Sequence, residues 1–244
     1  MSEIIDVSVD AEGIATLLID RRDNPVNVID QKFMDELSAA IEQVAGTAAI
    51  RGAVVTSGKP IFVAGADLKE MEAVLDRQQD IPVAQQLEQN TSFSRVLRRM
   101  ETCGKPFVCA INGAAMGGGT EIALACHRRI VSDARGIVLG LPEVQVGLLP
   151  GAGGTQRVPR LIGIQAAMPV VMEGQTLTPQ KALEIGLIHA VVPANQLLSE
   201  AKRWILESGD AVQPWDKKGY KVPGGAGSMA PAVAQMLVVS NAMP

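Results

Sequence analysis

The 244-residue sequence is poor in the residues that usually mark a metal site or a disulfide-bonded fold. It contains two histidines, and its three cysteines, Cys103, Cys109 and Cys126, show no C-x-x-C spacing. Structural zinc needs closely spaced Cys and His ligands, and a disulfide framework needs paired cysteines. We therefore expect no metal site and three free thiols, as is usual in a reducing compartment.

The sequence also lacks a basic excess and any long apolar run. Lys and Arg number 22 against 26 Asp and Glu, a formal charge of −4, which gives no electrostatic reason to expect nucleic acid as a partner. No apolar stretch reaches the roughly 20 residues of a membrane span, and the N-terminus does not resemble a signal peptide. We predict a soluble cytoplasmic protein with one large domain.

Three common enzyme motifs are absent as well. Position 122 is Ile and position 156 is Gln, so neither glycine-rich stretch that contains them completes G-x-G-x-x-G. No glycine cluster is followed by G-K-[ST], and no G-x-S-x-G occurs. The spacing excludes a dinucleotide-binding or P-loop site and disfavours a serine hydrolase.

Short strand-like segments alternate with helical ones up to about residue 145, and helices dominate after it. The patterns predict a hairpin over 5–19, strands at 52–56, 61–64, 107–111 and 129–132, and helices at 31–44, 67–76, 83–102 and 121–126. Asp30 is the predicted N-cap of the first helix. Alternation of this kind predicts an α/β fold with parallel strands.

Two glycine turns follow predicted strands, at residues 64–67 and 116–119. Unpaired backbone N–H groups in such turns can face an oxyanion, and glycine lets a substrate approach closely. Two converging N–H donors would form an oxyanion hole. The simpler interpretation is that these glycines serve tight turns and close packing, which spacing alone favours.

Two carboxylates stand in apolar, glycine-rich surroundings: Glu121 after the triple glycine, and Glu143 after Pro142. A pair of carboxyl groups around one water can divide general acid and base roles. Taken singly, Glu121 is explained as a first-turn residue that favours the helix dipole. Glu143 alone is explained as a surface residue in a turn.

Three stretches together are more specific than any single glycine cluster. Residues 61–71 (IFVAGADLKEM), 112–121 (NGAAMGGGTE) and 141–157 (LPEVQVGLLPGAGGTQR) resemble, in order, three signatures of the crotonase (enoyl-CoA hydratase/isomerase) superfamily. The resemblance spans about residues 4–208. It implies an α/β fold, a Clp protease-like spiral of ββα units with a helical C-terminal region, and acyl-CoA thioesters as substrates.

The resemblance also implies roles for individual residues. The N–H groups of Ala66 and Gly118 would hold the thioester oxygen as it becomes an enolate. Glu121 and Glu143 would position and activate the water added to a 2-trans-enoyl-CoA, and which of them is acid and which base is left open. The implied substrate-binding residues are Asn27, Val28, Ala64, Asp67, Leu68, Lys69, Gly117 and Pro142. No metal and no cofactor is implied, because coenzyme A belongs to the substrate.

Residues 212–220 (VQPWDKKGY) resemble the region after the hydratase core in multifunctional fatty-acid oxidation proteins, which continue into a 3-hydroxyacyl-CoA dehydrogenase. We predict a hydratase domain over 1–208, and over 209–244 a Gly/Pro-rich linker and short apolar segment leading to a missing dehydrogenase part. The implied partners are the acyl-CoA and either a second copy of the chain or a thiolase subunit. The alternatives are a 3-to-2 enoyl-CoA isomerase and a non-catalytic acyl-CoA-binding or assembly module.

Overall fold

A parallel sheet forms the centre of the molecule. The computed structural model describes residues 2–67 and 81–225. The strands are β1 (Ile5–Val9), β2 (Ile14–Ile19), β3 (Gly52–Ser57), β4 (Phe107–Ile111), β5 (Ala115–Met116), β6 (Arg128–Ser132), β7 (Leu139–Gly140) and β8 (Ala190–Val192). Six of them form one sheet in the order β1-β2-β3-β4-β6-β8, and β5 pairs with β7. Only β1 and β2 pair antiparallel among these strands, which confirms the predicted hairpin and α/β class.

Helices cover both faces of this sheet. They are α1 (Gln31–Gly46), α2 (Val83–Asn90), α3 (Ser92–Thr102), α4 (Gly118–Ala125), α5 (Gly154–Ile162), α6 (Ile164–Met172), α7 (Pro179–Glu184) and α8 (Leu197–Glu207). Asp30 caps α1 as predicted, since its carboxylate accepts the N–H of Phe33 at 2.7 Å. Within the two described ranges, no helix combines the length and apolar character needed to cross a membrane.

The central strands are apolar because both of their faces are covered. Every residue of β3 and β4 is buried, as is usual for parallel strands between helical layers. On one face, Val54 and Val108 pack with Ala201 and Ile205 of α8. On the other face lie α1, α3 and α4. Both predicted glycine turns follow the carboxyl ends of β3 and β4, the edge at which ligands bind in open α/β sheets.

The structure corrects three element boundaries. The strand predicted at 61–64 is reduced to one bridge between Val63 and Ala115, because the chain turns immediately afterwards at Gly65, where φ is +107°. The helix predicted over 83–102 is interrupted at Thr91, which separates α2 from α3. The helix predicted from residue 121 begins at Gly118. The helix predicted over 67–76 falls on residues outside the described ranges apart from Asp67.

Residues 209–225 pack against the main body of the domain. The Gln213 side chain is fully buried, and its amide donates to the carbonyl of Ala125 at 2.9 Å. Asp216, in a short 3-10 helix, pairs with Arg98 of α3. The hydroxyl of Tyr220 donates to the carbonyl of Arg160. This part of the predicted linker is therefore in contact with the domain, while the boundary at 208 stays a prediction.

Candidate active site

The two glycine turns lie side by side. The N–H of Met116 donates to the carbonyl of Val63 at 3.0 Å, and a Cβ placed on Gly117 would lie 3.8 Å from the Cα of Gly65. The residues that follow, Ala66 and Gly118, are therefore neighbours on one surface. Their proximity is what an oxyanion hole built from two turns requires.

Within the described part of the chain, neither of these two backbone N–H groups donates to a backbone carbonyl. The bridge between Ile29 and Ala66 uses the N–H groups of Ile29 and Asp67, with N···O distances of 2.9 and 3.0 Å, rather than that of Ala66. Gly118 is the first residue of α4, so its N–H has no acceptor within the helix. Each turn thus presents a backbone N–H donor.

Steric contacts explain the triple glycine. At Gly117 φ is +54°, a conformation that side chains other than glycine rarely adopt. A Cβ on Gly118 would lie 2.6 Å from Cδ1 of Ile29, and one on Gly119 would lie 2.4 Å from the carbonyl oxygen of Val63. The packing interpretation and the oxyanion interpretation of these glycines therefore describe the same turn.

Ala66 and Gly118 share one cavity of about 820 Å³ with Glu121 and Glu143. Its size lies within the range of small-molecule sites. Apolar side chains form much of the remaining wall, among them Ile29, Met34, Ile81, Phe93, Val146, Leu148 and Leu149. An apolar cavity with two N–H donors and two carboxyl groups suits a ligand that is mainly hydrocarbon with one polar reacting group.

Glu121 is held from one side by a backbone turn. Its side chain lies in the first turn of α4, and the residue is 3% exposed. One carboxylate oxygen, Oε1, accepts the N–H of Ala152 at 2.8 Å and that of Gly154 at 2.7 Å. Burial raises the pKa of Glu121 to about 7, the hydrogen bond from Gly154 opposes that rise, and the charge of Glu143 adds to it. This carboxyl group therefore exchanges protons near neutral pH.

Glu143 stands in a more open environment. It lies in the 3-10 helix Pro142–Val146 and is half-buried. Its Oε2 is buried yet has no hydrogen-bond partner among the described residues. Burial also raises the pKa of Glu143. Buried polar atoms are normally hydrogen-bonded, and a water or a substrate atom in the cavity would supply a hydrogen-bond donor for this oxygen.

The other predicted substrate-binding residues divide into three groups. Ala64, Asp67, Gly117 and Pro142 line the cavity. Asn27 and Val28 are not among its described lining residues. Leu68 and Lys69 lie outside the described ranges.

Asn27 holds the neighbouring loops together from a fully buried position. Its amide donates to the carbonyls of Ile19 and Phe62 at 3.1 and 3.0 Å and to the Ser57 hydroxyl at 2.9 Å. The carbonyl of Val28 accepts from the guanidinium of Arg21 at 3.2 Å. These contacts support the loop before Ile29, a cavity residue, and substrate binding by this pair stays a prediction.

The sequence analysis missed two residues that hold Glu121: Ala152 and Gly154, whose N–H groups bind its carboxylate. The neighbouring Thr120 fixes the start of α4, because its hydroxyl lies 2.7 Å from the carbonyl oxygen of Ala115 and accepts the N–H of Gly140 at 3.2 Å. The Gly/Ala-rich stretch at 150–154 was a signal for exposed backbone donors, but nothing in the sequence placed it beside Glu121.

The fold and this site define a crotonase-type protein, with a parallel α/β core and paired N–H donors that face two carboxyl groups. The family model for enoyl-CoA hydratase/isomerase matches residues 10–212, and the chain belongs to that family.

Relatives and solved structures agree with this assignment. The fatty acid oxidation complex subunit alpha of Shewanella frigidimarina is 41% identical over 204 residues, which make up 83% of this chain and 28% of that protein. The protein of the same name from Shewanella amazonensis is 39% identical over 202 residues, again with 28% of its length covered. This chain therefore spans less than a third of the length of these relatives.

Two solved structures show the same fold at moderate identity. The enoyl-CoA hydratase of Bacillus anthracis superposes with a TM-score of 0.72 at 32% identity, covering 83% of this chain and 75% of that one. Pseudomonas aeruginosa DspI gives a TM-score of 0.71 at 32% identity, covering 83% and 79%. The predicted crotonase fold is confirmed.

Proposed function

We propose that this chain adds water to 2-trans-enoyl-CoA thioesters and forms 3-hydroxyacyl-CoA, as a step of fatty-acid β-oxidation. The observation that carries the proposal is the pair Glu121 and Glu143 on one cavity beside the turns of Ala66 and Gly118. The family, whose description names hydratases and isomerases, and the fatty acid oxidation relatives support the same substrate class.

The N–H groups of Ala66 and Gly118 act on the thioester oxygen. Donating to that oxygen draws electrons from the conjugated double bond, so C3 becomes more electrophilic. As water adds at C3, negative charge collects on the oxygen, and fixed N–H donors stabilise it more in the transition state than in the ground state.

The two glutamates move the protons. A water held between them loses a proton to a carboxylate as its oxygen bonds to C3, and C2 gains a proton from a carboxyl group. One proton is taken up and one is delivered, so the pair returns to its starting charge. The pKa of Glu121, raised to about 7, keeps a proton available near neutral pH, and burial raises the pKa of Glu143 in the same direction. All steps use the chain's own residues, and we propose no cofactor beyond the coenzyme A of the substrate.

A 3-to-2 enoyl-CoA isomerase is the second candidate. Moving a double bond needs one group to carry a proton between C4 and C2, and either glutamate could serve. Two carboxyl groups on one cavity favour water addition, because hydration uses the second group to hold and activate water. The unpartnered Oε2 of Glu143 is a suitable acceptor for that water.

The names of the relatives support assembly into a fatty acid oxidation complex. We propose a second copy of this chain or a thiolase subunit as the protein partner. A molar mass measured in solution, alone and with thiolase, separates these two. We keep a cytoplasmic location as a prediction.

The test is hydration of crotonyl-CoA and of a longer 2-enoyl-CoA, followed by loss of the conjugated thioester absorbance. Glu143→Gln runs beside the parent chain, with the exposed Glu173→Gln as matched control. We expect turnover in the parent and control and its loss in Glu143→Gln. Conversion of a 3-enoyl-CoA without hydration would establish the isomerase instead. Binding of acyl-CoA with no turnover of either substrate would indicate a non-catalytic module.

A further inference from the structure

The segment 209–225 contacts one of the two structures that hold Glu121 in place and is linked to the other through side-chain contacts. The structure it contacts is the C-terminal end of α4, the helix that carries Glu121. The structure it is linked to is the turn 152–154, whose N–H groups bind the carboxylate. The segment lies beyond the predicted hydratase domain, and most of it lies beyond the family match, which ends at residue 212.

The buried side chain of Arg157 supports the turn 152–154. Nη1 of Arg157 donates to the carbonyl of Ala152 at 2.7 Å. A Cβ on Gly153 would lie 2.3 Å from the same nitrogen, so the guanidinium lies directly against the turn. Any displacement of Arg157 therefore alters the position of the donors that hold Glu121.

A chain of charged side chains connects Arg157 to Asp216. Nε of Arg157 donates to Oε1 of Glu101 at 2.7 Å, and Glu101 is 2% exposed. The other carboxylate oxygen of Glu101 accepts from Arg98 at 3.0 Å. Arg98 in turn donates to both carboxylate oxygens of Asp216, at 2.8 and 2.7 Å. Paired contacts of this kind fix geometry as well as charge.

Gln213 supports the catalytic helix from the other end. Its fully buried amide donates to the carbonyls of Ala125 and Cys126 at 2.9 and 3.2 Å. The last carbonyls of a helix have no N–H donors within it, so this amide donates to α4 where the helix supplies no donors of its own.

We propose that Asp216, acting through Arg98, Glu101 and Arg157, and Gln213, acting on the end of α4, are positioning residues that keep the Glu121 carboxyl group in its catalytic orientation. The segment 209–225 is thereby part of the hydratase unit. This inference rests on the proposed function, in which Glu121 exchanges protons with substrate and water.

The charged groups that face Glu121 and Glu101 set the direction in which the pKa of Glu121 should change when these contacts are lost. Among the described residues, Glu143 and Arg157 are the charged groups that act on Glu121, and the cation of Arg157 favours the ionised carboxylate. Glu101 faces Arg98, Arg157 and Arg129, with His127 at its backbone carbonyl. If Arg157 and the turn 152–154 become less well ordered, the charge of Arg157 and the N–H groups of the turn stabilise the ionised Glu121 less. The pKa of Glu121 therefore rises.

The test compares two substitutions whose partners, Arg98 and Arg99, are neighbours on α3. Asp216→Asn removes one of two acidic partners of Arg98, the other being Glu101. Glu42→Gln removes the acidic partner of Arg99, whose two contacts with Glu42 measure 2.7 and 2.9 Å. We expect Asp216→Asn to lower kcat roughly threefold to tenfold, with KM nearly unchanged and the pH profile moved upward. Glu42→Gln leaves all three unchanged. Gln213→Met, which keeps the side-chain volume, should act like Asp216→Asn.

The decisive measurement is independent of turnover. Side-chain carboxyl NMR, with the Glu121 signal assigned from Glu121→Gln, follows the Glu121 midpoint in each folded variant. A rise in Asp216→Asn and Gln213→Met but not in Glu42→Gln supports the proposal, even if the parent hydrates nothing and the proposed function fails. An unchanged midpoint in both variants overturns the proposal, whatever happens to kcat.

Discussion

Glu121 and Glu143 share a cavity but are held in opposite ways. Two backbone N–H groups fix one oxygen of Glu121, and a buried arginine supports the turn that supplies them. Glu143 lies on a short 3-10 helix, and its Oε2 has no described partner. One carboxyl group is fixed in advance, and the other is free to bind what enters the cavity.

This difference separates two requirements of acid–base catalysis. A group that sets the reaction geometry benefits from a fixed orientation, because misplacement by about 1 Å is costly to the rate. A group that binds a water must leave acceptor capacity open. The pair divides these requirements between a helix start and a neighbouring short helix.

The largest expected effect comes from removing either carboxyl group. Glu121→Gln and Glu143→Gln should each lower kcat by about a hundredfold or more, the scale for losing a general acid–base group. Affinity for a CoA ester should change much less, since neither glutamate is proposed to bind the nucleotide. Hydration kinetics beside calorimetric binding of a saturated acyl-CoA measure both. Weaker binding with unchanged kcat would contradict these roles.

The second prediction tests how strongly the environment of Glu121 opposes its charge. Its pKa in the folded protein is raised from 4.5 to about 7, so folding favours the protonated form. That stabilisation is complete below pH 4.5 and is lost as pH rises towards 7. Glu121→Gln does not titrate. Between pH 4.5 and pH 8, the free energy of unfolding of the parent should therefore fall by about 3 kcal/mol relative to that of Glu121→Gln.

Urea unfolding of both proteins across this range measures that fall. Glu143→Gln is the natural comparison, because burial raises the pKa of Glu143 in the same direction. A smaller fall is expected there, since Glu143 is only half-buried. A constant difference between parent and Glu121→Gln at all pH values would contradict the raised pKa of Glu121.

Local patterns predicted the elements better than their contacts. The strand at 107–111 and the Asp30 cap follow from alternation and capping chemistry over a few residues, and both are confirmed. The approach of residues 152–154 to Glu121 joins segments about thirty positions apart. Nothing in the periodicity of either segment specifies that contact. Asn27 shows the same limit, because its four hydrogen bonds reach loops and strands that are separate in sequence.

The third prediction breaks the support of Glu121 without touching either glutamate. Gly153 has φ of +105°, and a Cβ there would lie 2.3 Å from Arg157. Gly153→Ala should lower the free energy of unfolding by about 2 kcal/mol. Gly151→Ala is the matched control in the same turn, because a Cβ at Gly151 meets nothing within 4 Å. Equal urea midpoints for the two variants would show that the turn tolerates a side chain at 153.

The smallest expected effect concerns the start of α4. The Thr120 hydroxyl accepts the N–H of Gly140 and reaches the carbonyl of Ala115, and so ties α4 to β5 and β7. Thr120→Val keeps the shape but removes the hydrogen bonds of the hydroxyl with these groups, at a cost of about 1 to 2 kcal/mol. Thr120→Ser keeps the hydroxyl and should lose less. If Thr120→Val lowers stability while kcat stays near that of Thr120→Ser, the backbone turn at 152–154 alone is sufficient to orient Glu121. A fall in kcat confined to Thr120→Val would instead show that the helix start shares in that orientation, and the contrast between a fixed and an open glutamate would then depend on both ends of the Glu121 environment.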